Sequence, residues 1–150
     1  MALRIEDLPV SYDLHLAHYR IGAVELYRFD RESFRPIDSA DGSGYCCGLL
    51  KITSGNSFGW GAYALLCPQR HFDLVRWANV YMQLKGLSVA EAVHCVRSKG
   101  SAWGLERKTL AEAALLDLAN DLRRESPLQR KACMLERSAL IACSESYFSF

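Results

Sequence analysis

The hydrophobic pattern of the chain changes its period at Pro68, and no other feature of the sequence constrains the fold as strongly. Before Pro68, three stretches are predicted to be strands, and the first of them alternates between apolar and polar residues as half-buried β-strands do. After Pro68, apolar residues recur at helical spacing. The predicted strands are 21–30, 45–53 and 58–66, and the helical pattern begins with Leu74, Trp77 and Tyr81. Strands followed by helices predict an α+β fold with the helices on one face of the sheet.

The first alternating stretch, 21–30, is predicted to be a strand with two distinct faces. Val24 and Leu26 share one face, and Glu25 and Tyr27 share the other. The β-branched and aromatic residues of this stretch favour extended backbone. The stretch therefore supplies the first strand of the expected sheet.

The second and third stretches are predicted to form a hairpin over 45–66. Gly55 and Asn56 lie between them, and both residue types tolerate the positive φ of a tight turn. A polar loop rich in glycine, serine and aspartate, residues 31–44, separates the hairpin from the first strand. The three strands predict a three-stranded antiparallel meander followed by a three-helix bundle packed on one face.

Capping residues and glycines predict where the first two helices begin or end. The first helix is expected to end at Lys85-Gly86. Ser88 opens the second, since Glu91 stands three residues later as in a capping box. The second helix is expected to end at Lys99-Gly100-Ser101.

Thr109 and Glu112 repeat the capping-box spacing and predict the start of the third helix. Ser126-Pro127 is expected to stop it, because the residue before proline avoids the helical region. The apolar run 139–143 predicts a short buried strand. The expected organisation is an N-terminal extension over 1–20, one domain over 21–137, and a C-terminal strand and tail over 138–150.

The overall charge argues against a nucleic-acid partner or an acidic membrane surface. The 150 residues include 18 basic and 17 acidic side chains, for a formal net charge of +1. The sequence lacks the run of roughly 18–20 apolar residues that a spanning helix needs. The N-terminal residues lack the basic and apolar regions of a signal peptide, so a cytoplasmic location is expected.

The six cysteines are expected to be reduced, because no pair has the spacing of a zinc or redox motif. Four of them lie in apolar surroundings, where buried thiols behave as small hydrophobic residues: Cys46, Cys47, Cys67 and Cys143. Two alternatives stay open, namely a thiol of Cys67 activated at a helix N-terminus, and a metal site combining Cys67, His71, His94 and Cys95.

Other single residues are predicted to have structural roles. Asp117 lies within the third helix and is expected to be a surface or hydrogen-bonded acid rather than a catalytic one. Trp60 is expected to pack in the hairpin rather than to serve as a stacking platform. A phosphate-binding Gly-Lys-Ser/Thr sequence does not occur in the chain.

Four sequence segments, in order, resemble the N-terminal capping domain of the enolase superfamily, in its mandelate racemase and muconate lactonizing branch. They are the first strand 21–27, the hairpin 50–61 with its Gly-Trp-Gly, the alanine-rich helix 111–119 and the Pro-Leu turn within 126–131. The resemblance covers roughly residues 20–145. Ala62 stands where the family usually has a glutamate, and the Leu-Gly-Gly after the Pro-Leu turn is absent.

The resemblance implies a cap without its catalytic barrel, since a (β/α)₈ barrel needs about 200–250 residues. In this family the barrel carries the acid–base residues and the carboxylates that hold Mg²⁺. We therefore expect a non-catalytic, stand-alone binding module that holds no cofactor, with Mg²⁺ only if a barrel partner exists. The alternatives are the specificity subunit of a split Mg²⁺-dependent racemase, cycloisomerase or dehydratase, or a fragment of such an enzyme.

In the family, two loops of the cap shape substrate specificity, and they correspond to 34–45 and about 62–70. The expected ligand or partner contacts in and around them are Phe34, Ile37, Tyr45, Trp60, Tyr63, Cys67 and His71. A cap also buries one side against its barrel, so the apolar C-terminal segment is expected to lie in an interface. The residues of that interface are Leu140, Ile141, Tyr147, Phe148 and Phe150. The expected partners are a second copy or a separately encoded barrel protein, with a small-molecule ligand as a further candidate.

Overall fold

The computed structural model describes residues 16–29, 44–67, 73–123 and 144–150. Within these ranges the chain forms an α+β fold with four strands and three α-helices. The strands are β1 (Ala23–Phe29), β2 (Gly44–Ser54), β3 (Ser57–Cys67) and β4 (Ser144–Ser149). The helices are α1 (Leu74–Ala78), which a 3₁₀ helix (Asn79–Leu84) continues, α2 (Val89–Trp103) and α3 (Leu105–Arg123).

The four strands form one antiparallel sheet in the order β3-β2-β1-β4. The predicted α+β class is confirmed, but the prediction of a three-stranded sheet is wrong. β1 has a second edge, and β4 pairs with it so that Leu26 lies opposite Phe148 and Tyr27 opposite Tyr147. The strand expected at 139–143 lies outside the described residues.

The hairpin turn uses a single positive φ. Gly55 has a φ of 59°, and no described residue other than glycine has a positive φ. Asn56 therefore does not adopt the left-handed conformation that its residue type permits. Glycine first and a negative φ second fit a type II′ turn, whose twist matches that of the flanking strands.

The main core lies between the sheet and the helices. Helix α3 packs against β3 and β2. Val24, Leu26, Leu50 and Ile52 point from the sheet into this core and are fully buried. The alternation of β1 therefore predicted correctly which of its residues share a face.

Two glycines of β3 let helix α3 lie directly on the strand. A Cβ at Gly59 would overlap the carbonyl oxygen of Ala114 and the backbone nitrogen of Leu118. A Cβ at Gly61 would lie 2.7 Å from the carbonyl oxygen of Leu110. The Gly-Trp-Gly sequence thus places its two glycines beneath the helix and the Trp60 side chain on the opposite face of the sheet.

The predicted start of α2 is confirmed, and its predicted end is wrong. Glu91 N donates to Ser88 Oγ at 3.1 Å and Ser88 N donates to Glu91 Oε2 at 2.7 Å, which completes the capping box. The helix continues past Gly100 to Trp103 and ends at Gly104, whose φ is 95°. Gly100 is buried beside the aliphatic part of Lys108, so it permits close helix packing rather than a stop.

The predicted capping box at Thr109 is also wrong. Helix α3 begins at Leu105, so Thr109 lies inside it. Gly104 turns the chain directly from α2 into α3, and Lys108 N already donates to Gly104 O at 3.1 Å. None of the described helices combines the length and the apolar character that crossing a membrane requires.

Candidate functional site

The face of the sheet opposite the helices carries a buried ion pair. Glu25 of β1 lies directly across from Lys51 of β2 in the strand ladder. Lys51 Nζ lies 3.8 Å from Glu25 Oε2, and the exposed fractions of the two side chains are 11% and 5%. The antiparallel register therefore places opposite charges side by side where little water reaches them.

The second oxygen of the same carboxylate binds a residue of β4. Tyr147 Oη donates a hydrogen bond to Glu25 Oε1 at 2.6 Å. The ring of Tyr147 lies 5.1 Å from the ring of Tyr27, its partner across β1 and β4. The C-terminal strand is thus joined to the ion pair by both a polar contact and a ring contact.

Aromatic rings surround the ammonium group of Lys51. Lys51 Nζ lies 4.8 Å from the ring centroid of Phe58 and 5.2 Å from that of Trp60, at distances typical of cation–π contacts. Phe58 and Trp60 meet edge to face at 5.8 Å. Trp60 also lies 6.0 Å from Tyr27.

We call these six residues the Lys51 cluster: Glu25, Tyr27, Lys51, Phe58, Trp60 and Tyr147. The exposure of its members divides them into two groups. Tyr27 is fully buried, whereas Phe58, Trp60 and Tyr147 are half-buried. The charges are therefore engaged with neighbours inside the chain, and the three half-buried rings are the part of the cluster that a second molecule can touch.

The first half of the outer edge of β3 is capped by two carboxylates of helix α3. Trp60 N donates to Asp117 Oδ2 at 2.8 Å, and Phe58 N donates to Asp121 Oδ2 at 3.3 Å. Asp117 and Asp121 are four residues apart on the helix, a rise of about 6 Å, and Phe58 and Trp60 are two residues apart on the strand, a rise of about 6.7 Å. The two aspartates can therefore each reach one of the two N–H groups. The prediction that Asp117 is a hydrogen-bonded structural acid is confirmed, and its partner is the edge strand.

Some residues predicted to contact a ligand or partner come together and others do not. Trp60 and Tyr147 join in the Lys51 cluster, although they were assigned to different surfaces. Tyr63 lies on the opposite face, where its hydroxyl donates to Tyr27 O at 3.0 Å beside Gly48. Phe148 and Phe150 are half-buried and pack against the main core.

The other predicted contacts lie outside the described residues or side chains. Tyr45 and Cys67 are in strands β2 and β3, but their side chains are not described. The rest have no described position: Phe34, Ile37, His71, Leu140 and Ile141. The predicted specificity loops 34–45 and 62–70 are described only over 44–45 and 62–67, and both of these segments are strand rather than loop.

Four members of the Lys51 cluster were not among the predicted contacts, namely Glu25, Tyr27, Lys51 and Phe58. The available signal was that Glu25 and Lys51 each lie between two apolar residues, in two adjacent strands. Their meeting also depends on the register of Glu25 with Lys51. The spacing of the two residues along the sequence does not determine that register.

The described thiols and histidines do not form a metal site. Cys47 and Cys95 are free, and burial raises the pKa of the Cys47 thiol, while Arg28 lowers it by a smaller amount. His94 and Cys95 border one open groove beside α2, together with Glu91 and Lys99. No group of three or more His, Cys, Asp or Glu side chains that could hold a metal ion occurs within the described ranges.

No protein-family model, curated protein or solved structure matches the chain. The geometry of the described residues is therefore the basis on which a function is assigned to it.

Proposed function

We propose that this chain is a non-catalytic binding module whose aromatic sheet face contacts a partner protein. The observation that carries the proposal is the Lys51 cluster, in which three half-buried rings surround an ion pair. An antiparallel sheet that faces water on one side normally places polar residues there. Here that face carries the rings of Tyr27, Phe58, Trp60 and Tyr147 in mutual contact.

The rings have the character of interface anchors. Tryptophan and tyrosine are enriched at protein interfaces, where a few of them supply most of the binding energy. Trp60 and Tyr147 are held on strands, by ring contacts with Tyr27 and by the hydrogen bond of Tyr147 to Glu25. Binding would therefore cost little side-chain entropy.

The ion pair supports binding rather than catalysis. Lys51 and Glu25 face each other, and Glu25 also accepts from Tyr147. A catalytic base or nucleophile must instead present its reactive atom to a substrate. In the proposal these charges hold the strands in register and keep the rings in place.

The resemblance to the enolase-superfamily cap extends the proposal to the layout and to the class of partner. In this proposal the strands β3-β2-β1 and the helices packed on one face would correspond to the cap, and β4 would be an added strand. The partner would then be a separately encoded barrel protein, and any Mg²⁺ would belong to that barrel. The chain would act from a cytoplasmic location.

The test compares the full-length tagged chain with two variants, each expressed at native level in its own cells. The wild type is expected to purify with a stoichiometric partner. Trp60→Ala should lose that partner, because it removes the central half-buried ring. Ala102→Asp, a change at an exposed site on α2, should keep it. Far-UV circular dichroism and thermal melting establish that both variants fold.

Two results would contradict the proposal. One is a wild-type chain without a stoichiometric partner of a different sequence. The other is a folded Trp60→Ala variant that retains the partner in full. A partner of barrel size that shows Mg²⁺-dependent proton exchange on carboxylate substrates only with this chain bound would make the chain the specificity subunit of a split enzyme.

A further inference from the structure

Among the described residues, the outer edge of β3 is capped over its first half and has no hydrogen-bond partner over its second half. Asp121 and Asp117 accept from the N–H groups of Phe58 and Trp60. Continuing the same spacing, four residues along α3 for two along β3, places Ala113 beside Ala62. The side chain of Ala113 has no hydrogen-bond acceptor, so it cannot cap the N–H group of Ala62 as the two aspartates cap those of Phe58 and Trp60.

The backbone beyond the caps presents a surface for strand pairing. In an antiparallel strand, the N–H groups of alternate residues point to the same side, so those of Ala62 and Ala64 point outward with that of Trp60. Both alanine side chains are exposed. No described residue accepts a hydrogen bond from either N–H group. An uncovered edge with small side chains is a template for another strand.

We propose that a second copy of this chain pairs with this edge, β3 against β3, in antiparallel orientation. With the two-fold axis at Ala64, Ala62 lies opposite Leu66 of the second copy, and Ala64 faces its own equivalent. Trp60, which Asp117 caps, then lies opposite the position after Cys67, where the strand ends. The open stretch is therefore complementary to itself in length and direction, as a two-fold interface requires.

This pairing uses a surface different from the aromatic face and goes beyond the proposed function. The two sheets would join into one continuous antiparallel sheet across the axis. Paired residues would exchange backbone hydrogen bonds, while the existing bonds to Asp117 and Asp121 stay intact. Side chains as small as Ala62 and Ala64 place no bulk in the contact.

The first experiment measures the mass of the full-length chain by sedimentation equilibrium at micromolar concentrations. The wild type is expected to be a dimer. Ala113→Asp extends the series of caps to Ala62, so the dissociation constant of the dimer should rise by about tenfold or more. Ala102→Asp, the same substitution on α2, should leave the dissociation constant unchanged.

The second experiment tests the register by disulfide formation. Residues directly opposite in a hydrogen-bonded antiparallel pair have Cα atoms about 5.5 Å apart, within reach of a disulfide. Ala64→Cys should therefore cross-link two copies under mild oxidation, above the level given by the native thiols. Ala62→Cys should not, because its equivalent in the second copy would lie roughly 14 Å away.

A wild type that is monomeric at about 100 μM, well above the micromolar range in which dimer Kd values of specific pairs fall, would overturn the proposal. So would a dimer with no cross-linking of Ala64→Cys above the wild type. If Ala113→Asp does not fold, the two cysteine variants decide the question alone. Trp60→Ala should not change the dimer, which separates this proposal from the function of the aromatic face.

Discussion

The backbone N–H of Trp60 donates to the Asp117 carboxylate at 2.8 Å, so a helix side chain occupies the place of a neighbouring strand. Asp121 does the same for Phe58 one helical turn further on. This arrangement depends on the close approach of α3 to the sheet, which Gly59 and Gly61 permit. The two glycines of Gly-Trp-Gly therefore bring α3 close enough for Asp117 and Asp121 to accept from the edge N–H groups of Trp60 and Phe58.

Asp117→Ala should lower the free energy of unfolding by about 1 kcal/mol, the usual net value of a hydrogen bond. Asp117→Asn should cost less, because the amide oxygen can still accept from Trp60. Urea denaturation of the two variants and the wild type measures the difference. Equal losses in both variants would show that the charge, and not the acceptor, makes the contribution.

Gly59→Ala should destabilise the fold by about 3 kcal/mol or more, because the added Cβ would overlap the backbone of α3 at Ala114 and Leu118. Gly22→Ala is the matched control. A Cβ at Gly22 meets no atom within 4 Å, and its φ is not positive. The control should be neutral or stabilising by about 0.5 kcal/mol. Thermal melting of both variants checks the contrast, and similar melting temperatures would contradict the close approach.

Removing one member of the buried ion pair should cost more than replacing both. Lys51→Met leaves the Glu25 carboxylate without its cation and should cost about 3 kcal/mol. Adding Glu25→Gln to Lys51→Met should recover part of that loss, since no buried charge remains. A double-mutant cycle in urea is expected to give a coupling energy of at least about 1 kcal/mol. Additive losses would show that the two side chains do not interact.

Local features of the sequence predicted local structure well. The two faces of β1 followed from alternation, because the side-chain period of a strand is two whatever its neighbours are. The capping box of Ser88 and Glu91 formed as predicted, because all of its atoms lie within four residues. The structural role of Asp117 was also predicted, but not its partner, which lies 57 residues away in the sequence.

The same reasoning failed where a distant residue decides the outcome. Thr109 and Glu112 have the spacing of a capping box, yet Gly104 had already turned the chain into α3. The fourth strand pairs Glu25 with Ser149, which no local pattern contains. The Lys51 cluster depends on the registers of three strand pairs, β1 with β2, β1 with β4 and β2 with β3. The sequence does not specify these registers, so it could not predict that the six residues lie together.

The capping box of α2 predicts a pH dependence of stability that the chain should show in mild acid. The backbone hydrogen bond from Ser88 is the main reason that the pKa of Glu91 lies below its ordinary value of 4.5. Desolvation is the next largest effect and raises the pKa, while the Ser88 side chain and Arg20 lower it further. Because the folded pKa is the lower one, the carboxylate contributes stability above the ordinary value. That contribution is lost as the pH falls through the folded pKa.

Glu91→Gln should therefore flatten the dependence of the melting temperature on pH between about 5 and 3, the range around a carboxyl pKa. Above that range the variant should melt below the wild type, because the amide is neutral near the positive N-terminal end of the helix. Ser88→Ala should flatten the same range, since it removes one hydrogen bond within the box and loosens the other. Ser101→Ala, a change to an exposed serine of α2 that does not titrate, is the control and should keep the wild-type slope. If Glu91→Gln and the wild type lose melting temperature in parallel as the pH falls, the carboxylate does not stabilise the start of α2 in the way that the two hydrogen bonds indicate.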